Sequence, residues 1–268
     1  MIRKPIPQSW RVGLGVASFL LLIGAYSYLS HRQLEENPDD RSIPSWSRLW
    51  SDGVVRVFTP NEHTGEVWIW QDFQATFRER LLAGMLVGVG VSLLVGLLMG
   101  CYDPLEAFFL PPLAFLAKIP PVAMLAVFFV LVGSGFEMYV TMIAFGIVPV
   151  LAQSIYHAAK DDVPDELLHK AYTLGASQME SIYNVIYKQT LPRIIDGVRL
   201  QVGPAMVYLI AAEWIAADVG FGYHLRLQSR LLDMSVVYVY LIVLGAVGFF
   251  LDFVLTRLRL WLCPWYGH

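Results

Sequence analysis

The stretch LLAGMLVGVGVSLLVGLLMG, residues 81–100, decides the fold class because it runs for twenty residues without a charge. A helix of that length is about 30 Å long, which is the thickness of the hydrocarbon core of a bilayer. Small residues recur at every fourth position and form one stripe along this helix: Gly84, Gly88, Ser92, Gly96 and Gly100. We expect another helix to pack against the stripe. The alternative is a membrane helix that is merely rich in glycine.

Five further uncharged stretches bring the predicted spans to six: 12–30, 81–100, 119–136, 138–156, 200–212 and 234–251. The chain is 56% hydrophobic and 15% charged, with a mean hydropathy of +0.54, whereas an average soluble domain has ~25% charged residues. Alternation at period two is missing, which excludes a transmembrane β-barrel. The sequence therefore predicts an all-α integral membrane protein with six transmembrane helices.

The distribution of charged residues along the chain predicts its segments and the side of the membrane on which each lies. Residues 1–30 form a tail and first span, 31–80 an extracytoplasmic segment, 81–258 a five-helix core with a cytoplasmic loop at 157–196, and 259–268 a cytoplasmic tail. Basic residues before the first span favour a cytoplasmic N-terminus, although a cleaved signal peptide has the same pattern. An even number of spans puts both termini on one side, while the arginines of segment 31–80 run against the positive-inside rule. Four tryptophans of this region are expected at the membrane interface: Trp46, Trp50, Trp68 and Trp70.

Several classes of function find no support in the sequence. A net charge of −3 and a pI near 6.1 indicate no basic surface for binding nucleic acid. Cys101 and Cys263 make no CxxC, and the six histidines contain no HExxH, so we expect neither a metal site nor a catalytic residue. No Gly-Lys pair exists, so the phosphate-binding loop GxxxxGK[ST] is absent and ATP must bind elsewhere.

The region between the second and third spans contains three residue pairs with proline. They occur as Asp103-Pro104, Pro111-Pro112 and Pro120-Pro121. Because proline removes a helical hydrogen bond, we expect a break or a re-entrant bend lined by protein here.

The loop 157–196 predicts two short helices. Pro164, with acids at 162, 165 and 166, suits a helix start, and Gly175 suits a left-handed stop. Ser177 and Glu180 form a capping box for a second helix. Apolar residues at helical spacing give both helices an apolar side: Leu167, Leu168, Ala171 and Tyr172 in the first, and Met179, Ile182, Tyr183 and Ile186 in the second. Such a unit either docks a partner or covers the ends of its own bundle.

These residues resemble a known family. The run from Glu166 to Ser177, followed by Leu191-Pro192, is similar to the EAA loop of ABC-importer permeases, particularly the branch that imports nitrate, sulfonate, taurine or bicarbonate. Three further motifs in the same order extend the resemblance over most of the chain: residues 118–121, 131–137 and 211–223. The family's glutamate and first alanine fall on His169 and Lys170, and Tyr187-Lys188 replaces a usual leucine-proline pair.

The resemblance implies a type I importer fold in the bacterial plasma (inner) membrane, with both termini cytoplasmic. It implies a homodimer that binds cytoplasmic ATPase subunits, which hold ATP and Mg²⁺, and an extracytoplasmic solute-binding protein. No cofactor is expected in this chain. The loop would move as a rigid body when the ATPase pair closes. The expected ATPase-coupling residues are Glu166, His169, Lys170, Ala171, Leu174, Gly175, Ala176 and Ser177.

The candidate residues of the substrate pathway are Tyr208, Glu213 and Trp214. Inserting an acidic side chain near the centre of the bilayer costs a free energy of ~2.5–3.5 kcal/mol. Glu213 therefore needs a cavity or a partner, unless its carboxylate simply reaches water at the interface. Trp214 could stack on a planar or cationic solute or act as an interfacial anchor. Gly203-Pro204 loosens the same helix and favours a site or hinge nearby.

The solute is less well defined. The stretch from Glu36 to Asp40, with Pro44-Ser45, is similar to permeases associated with urea or guanidine use, and acids at 213 and 218 would suit a small nitrogen-rich cation. A self-sufficient secondary transporter or channel is the rival function, and it would need an ion-coupling site among its few intramembrane charges. A membrane enzyme has no supporting motif.

Overall fold

The computed structural model describes residues 7–37, 40–60 and 65–266. Helices make up the secondary structure of this part of the chain, which confirms the all-α class. We number them in chain order as follows: α1 Gln8–Glu36, α2 46–58, α3 Trp68–Cys101, α4 Asp103–Leu116, α5 Pro121–Val132, α6 Phe136–Asp161, α7 Asp165–Thr173, α8 Gln178–Ala216, α9 Phe221–Arg230 and α10 Met234–Leu262. Three of them contain π-helical turns: Leu49–Val55 in α2, Gln74–Leu81 in α3 and Ile182–Tyr187 in α8.

The described residues pack into two compact units. One consists of Met1–Trp68 with Leu225–Leu241, and the other of Ile69–His224 with Ile242–His268. Pro38 and Asp39, which belong to the stretch linked to urea or guanidine use, lie outside the described residues.

The first unit contains α1 and α2. Along α1 only Ser30 is buried, as suits a span whose sides face lipid or another subunit. The hydroxyl of Tyr26 donates to the carbonyl of Pro44 at 2.6 Å, and Trp46 meets the Tyr26 ring edge-on at 5.0 Å. Arg56 of α2 pairs with Asp233 at 2.5 Å. Trp46 and Trp50 are exposed, and their interfacial role stays a prediction.

In the second unit, α3 packs along α6 through the predicted stripe of small residues. A Cβ on Gly84 would lie 2.6 Å from the Ile143 side chain, and one on Gly96 would lie 2.7 Å from the Ala152 carbonyl oxygen. The helices therefore approach closely only because these side chains are absent. The expected helix partner is confirmed, and it is α6.

The register of α3 and α6 shows that the two helices are parallel. Gly84, Gly88 and Gly100 face Ile143, Ile147 and Ala159, so residue numbers increase together along both helices. The contact from 84 to 100 covers about 24 Å of helix, and the chain must return over that distance between them. Only α4 and α5, which are bent by 85° at their junction, lie between α3 and α6. Counted as one broken crossing, they bring the number of candidate spans to six.

The break between α4 and α5 lies at Pro120, one of the predicted positions, whereas Pro111-Pro112 does not interrupt the helix. Pro111 and Pro112 lie inside α4, and the helix ends at Leu116. The turn comes at Pro120, which has no N–H to donate and holds Ile119 away from helical geometry. Of the expected span 119–136, only Pro121–Val132 is helical before α6 begins at Phe136, and α4 supplies the other part of the broken crossing.

Candidate functional site

The loop after α6 contains the turn that the sequence predicts. Helix α7 begins after Pro164, with Asp165 in its first turn. It ends at Thr173, and Gly175, two residues later, has a left-handed φ of +85°. The Gly175 N–H donates to the Tyr172 carbonyl at 2.9 Å, and the Ala176 N–H donates to the Ala171 carbonyl at 3.0 Å. These two bonds form a Schellman motif, which confirms the glycine stop.

The predicted capping box is also present. The Ser177 hydroxyl accepts from the Glu180 N–H at 3.3 Å, and the Ser177 N–H donates to the Glu180 carboxylate at 2.8 Å. The backbone and hydroxyl donors of Ser177 hold the pKa of Glu180, which lies outside the hydrophobic part of α8, below its ordinary value. The residues after Gly175 are therefore fixed by local hydrogen bonds.

The second predicted short helix is instead the beginning of a long one. From Gln178 the chain stays helical to Ala216, so α8 has 39 residues. The polar residues 178–196 hide this continuity in the sequence, because the hydropathy changes within the helix and not at its end. The turn at Gly175 is thus attached directly to a transmembrane helix.

The apolar residues of the loop divide between two sides. Leu168, Ile182 and Ile186 pack with Ala159 and Val163 at the end of α6. Five large apolar or aromatic side chains of the loop are instead exposed: Leu167, Tyr172, Leu174, Met179 and Tyr183. Of the apolar residues predicted on the second helix, Ile186 is buried and Ile182 half-buried, whereas Met179 and Tyr183 are exposed. The loop covers its own bundle and leaves a second apolar surface free.

The expected coupling residues lie together on this turn. Ala171 and Ala176 are half-buried, and the remaining ones are exposed: Glu166, His169, Lys170, Leu174, Gly175 and Ser177. Leu174 is the extreme case, with 87% of its surface accessible. An exposed leucine at the tip of a hydrogen-bonded turn is suited to a protein contact.

Glu213, at the other end of α8, is completely buried and has a charged partner. Its carboxylate accepts from Arg80 of α3 at 2.7 Å, from the Thr76 hydroxyl at 2.9 Å and from the Gly222 N–H at 2.9 Å. The same Arg80 nitrogen donates to the Val219 carbonyl at 2.8 Å. The predicted need for a cavity or a partner is met by a partner.

A second buried acid extends this network. Asp72 accepts from the Gly220 N–H at 2.8 Å, and its other oxygen lies 2.7 Å from Nδ1 of His224. The Phe221 N–H donates to Thr76 at 2.9 Å. Residues 69–80 therefore belong to helix α3, although the sequence assigns them to a polar segment. The side chains of Asp72, Thr76 and Arg80 are satisfied by Glu213 and by residues 219–224, which no local pattern reveals.

The three candidate pathway residues point in different directions. The Tyr208 ring packs over Gly146 of α6 so closely that a Cβ there would overlap it. Trp214 is 40% exposed and lines an open apolar groove of about 580 Å³ between α8 and α10, together with Gly203 and Gly245. Glu213 faces α3. The structure does not bring the three side chains together in one site, and their role in a pathway stays a prediction.

Further ion pairs join α8 to α10. Arg199 contacts Asp252 at 2.7 Å, and Arg259 contacts Asp196 at 2.6 Å. Arg199, one of the few intramembrane charges that the sequence indicates, is thus paired within the chain, as is Glu213. Near the C-terminal end of α6, Lys160 pairs with Glu106 of α4. The Glu106 carboxylate also accepts a hydrogen bond from the Tyr156 hydroxyl at 2.7 Å.

Comparisons with known proteins agree with this architecture. Residues 88–265 match the family model described as "Binding-protein-dependent transport system inner membrane component". A probable ABC transporter permease of Brucella melitensis is 31% identical over 196 residues, which cover 72% of this chain and 78% of the relative. The taurine transport system permease of Escherichia coli is 29% identical over 75% of this chain and 72% of its own length. A nitrate import permease of Synechocystis is 26% identical over 63% and 60% of the two chains.

The fold is also similar to that of a solved transporter. An inward-facing structure of the MetNI methionine ABC transporter contains a chain that superposes with a TM-score of 0.58 at 18% identity, covering 73% of this chain and 94% of that one. At this identity the likeness concerns the fold alone, and it is the type I importer fold that the resemblance implies. The chain belongs to the binding-protein-dependent transport system inner membrane components, the permease subunits of ABC importers.

Proposed function

We propose that this permease is driven by cytoplasmic ATPase subunits that bind the exposed turn at Gly175. The observation that carries the proposal is the construction of this turn. The Schellman motif and the capping box make it rigid, Leu174 projects from it, and it leads without interruption into α8. A rigid turn on a continuous helix transmits a push to the membrane, whereas a flexible loop would absorb it.

The remaining partners follow from the family. The permease works as a homodimer, in which two six-span chains enclose the path, with a solute-binding protein on the extracytoplasmic side. ATP and Mg²⁺ bind to the ATPase subunits, and this chain needs no cofactor of its own. It lies in the bacterial plasma (inner) membrane with both termini in the cytoplasm, and the segment 31–80 is extracytoplasmic.

The solute is small and polar, of the kind named for the relatives. Taurine and nitrate appear in the names of two of them, and aliphatic sulfonates in that of a Bacillus subtilis permease that is 26% identical over 69% of this chain. A guanidinium- or urea-like solute is favoured by an uncompensated acid on the path. Glu213 is paired with Arg80, and Asp218 is exposed, which weakens that alternative.

Tyr208, Glu213 and Trp214 are proposed to lie along the path on α8. Trp214 and the groove that it lines would meet the solute directly. Tyr208 would set the distance between α8 and α6, and Glu213 would hold the outer end of α8 in place.

The substitution Gly175→Asn tests the coupling role. Asparagine tolerates a left-handed conformation, so the turn is kept while a side chain is added at its tip. Gly65→Asn is the matched control, because Gly65 also has a positive φ, of +69°, and no neighbour within 4 Å. Each variant is co-expressed with the ATPase subunit encoded beside it, and co-elution of the two proteins is measured together with ATP-dependent uptake of taurine, nitrate and guanidinium.

We expect Gly175→Asn to lose ATPase co-elution and uptake, and Gly65→Asn to retain both. Full co-elution and unchanged uptake in Gly175→Asn would show that the turn is not the docking element. Uptake of guanidinium in preference to taurine and nitrate would overturn the proposed solute class but leave the coupling role intact.

A further inference from the structure

The guanidinium of Arg80 connects three helices at one point. It lies on α3, pairs with Glu213 of α8 and stacks over the Tyr139 ring of α6, with its carbon 4.3 Å from the ring centre. Its bond to the Val219 carbonyl adds the loop that follows α8. A single side chain therefore holds the end of α8 against both helices of the α3–α6 pair.

The loop around Glu213 has no free space. A Cβ on Gly220, whose φ is +124°, would lie 2.7 Å from the Glu213 carboxylate, and a Cβ on Gly222 would lie 2.5 Å from the Glu213 Cβ. The acid is thus enclosed by backbone, and both carboxylate oxygens accept hydrogen bonds. This arrangement fixes the position of the carboxylate and leaves it unavailable to a solute.

The fixed end and the Gly175 turn belong to the same helix. From Ser177 to Glu213 there are 36 residues, about 54 Å of helix at 1.5 Å per residue. This length exceeds the ~30 Å hydrocarbon core, so the two ends of α8 lie on opposite sides of the membrane. A helix pushed at one end and held at the other tilts about the held end, whereas a helix that is free at both ends shifts without a defined direction.

We infer that Arg80 is a positioning residue for transport: its pair with Glu213 is the outer pivot of α8, about which a push at the Gly175 turn becomes an opening movement. This inference rests on the proposed function, because it needs the ATPase to act at that turn. It assigns a role to a pair that neither contacts the solute nor binds the ATPase.

The test uses the permease–ATPase complex with Cys101 and Cys263 replaced by serine and Ile215→Cys introduced as a reporter. Ile215 lies near the outer end of α8 and is 58% exposed. The rate at which a membrane-impermeant maleimide labels the reporter is measured with and without ATP and vanadate, alongside ATP hydrolysis. The readout therefore needs no knowledge of the solute.

The pair is removed by the double substitution Arg80→Met with Glu213→Gln, which leaves no buried charge without a partner. Arg78→Met is the matched control, because Arg78 lies two residues earlier in the same π-helical turn and is exposed. Arg80→Lys keeps the charge and a donor for Glu213, and it should restore part of the response.

We expect ATP to change labelling by at least about five-fold in the parent complex and in Arg78→Met. The double variant should hydrolyse ATP yet show the same labelling rate with and without it. A purely structural role would reduce the yield of complex but leave the response of each assembled complex unchanged. That result, or a full response in the double variant, would overturn the inference. A parent complex with no ATP response would instead contradict the proposed function.

Discussion

The stripe of small residues on α3 leads to a quantitative prediction about Gly96→Ala. An alanine Cβ at this position would lie 2.7 Å from the Ala152 carbonyl oxygen and 2.8 Å from the Ile155 Cβ. Carbon atoms in contact prefer separations of about 3.5–4.0 Å, so α3 and α6 must move apart or bend. Overpacking of this kind costs about 1–3 kcal/mol.

Gly90→Ala on the same helix provides the control. Gly90 has no neighbour within 4 Å, so the added methyl group meets no other side chain. Both variants gain the same advantage of alanine over glycine in a helix, about 1 kcal/mol. The difference in stability between Gly96→Ala and Gly90→Ala therefore isolates the cost of the clash with α6.

The assay is thermal unfolding of the detergent-purified chain, followed by tryptophan fluorescence. At about 2–4 °C per kcal/mol for a chain of this size, Gly96→Ala should melt roughly 2–12 °C below Gly90→Ala. If the two variants melt together, the close parallel packing of α3 on α6 is not a source of stability.

Two further changes test the loop and the core. Ser177→Ala removes the acceptor for the Glu180 N–H, so it should destabilise the start of α8 by about 0.5–2 kcal/mol. Hydrogen exchange at the Glu180 amide should accelerate. Unchanged protection of this amide would show that the capping box is dispensable. Gly146→Ala places a methyl group where it overlaps the Tyr208 ring, so the ring must rotate and the melting temperature should fall. A melting temperature equal to that of the parent would contradict the tight contact between α6 and α8.

The sequence predicts those parts of the structure that depend on local signals. The spans follow from uncharged runs, and the helix stop at Gly175 and the capping box at Ser177 follow from residues that bond within a few positions. The glycine stripe predicts a close helix partner because only small residues permit such an approach. None of these signals requires knowledge of what lies elsewhere in the chain.

Other features depend on contacts between distant residues and were not predictable. Arg80 and Glu213 are 133 positions apart, so nothing beside either residue indicates that they pair. The extension of α3 back to Trp68 has the same origin, because its buried polar residues Asp72 and Thr76 bond to residues 213–221, far along the chain. The continuity of α8 was missed because a helix that leaves the membrane becomes polar without ending.

We propose that this chain is driven through the Gly175 turn by another protein, which holds the nucleotide. The most direct test is uptake by proteoliposomes that contain the chain alone, compared with liposomes that also contain its ATPase and binding protein. We expect ATP-dependent accumulation only in the complete system. Accumulation against a gradient by the chain alone would contradict it.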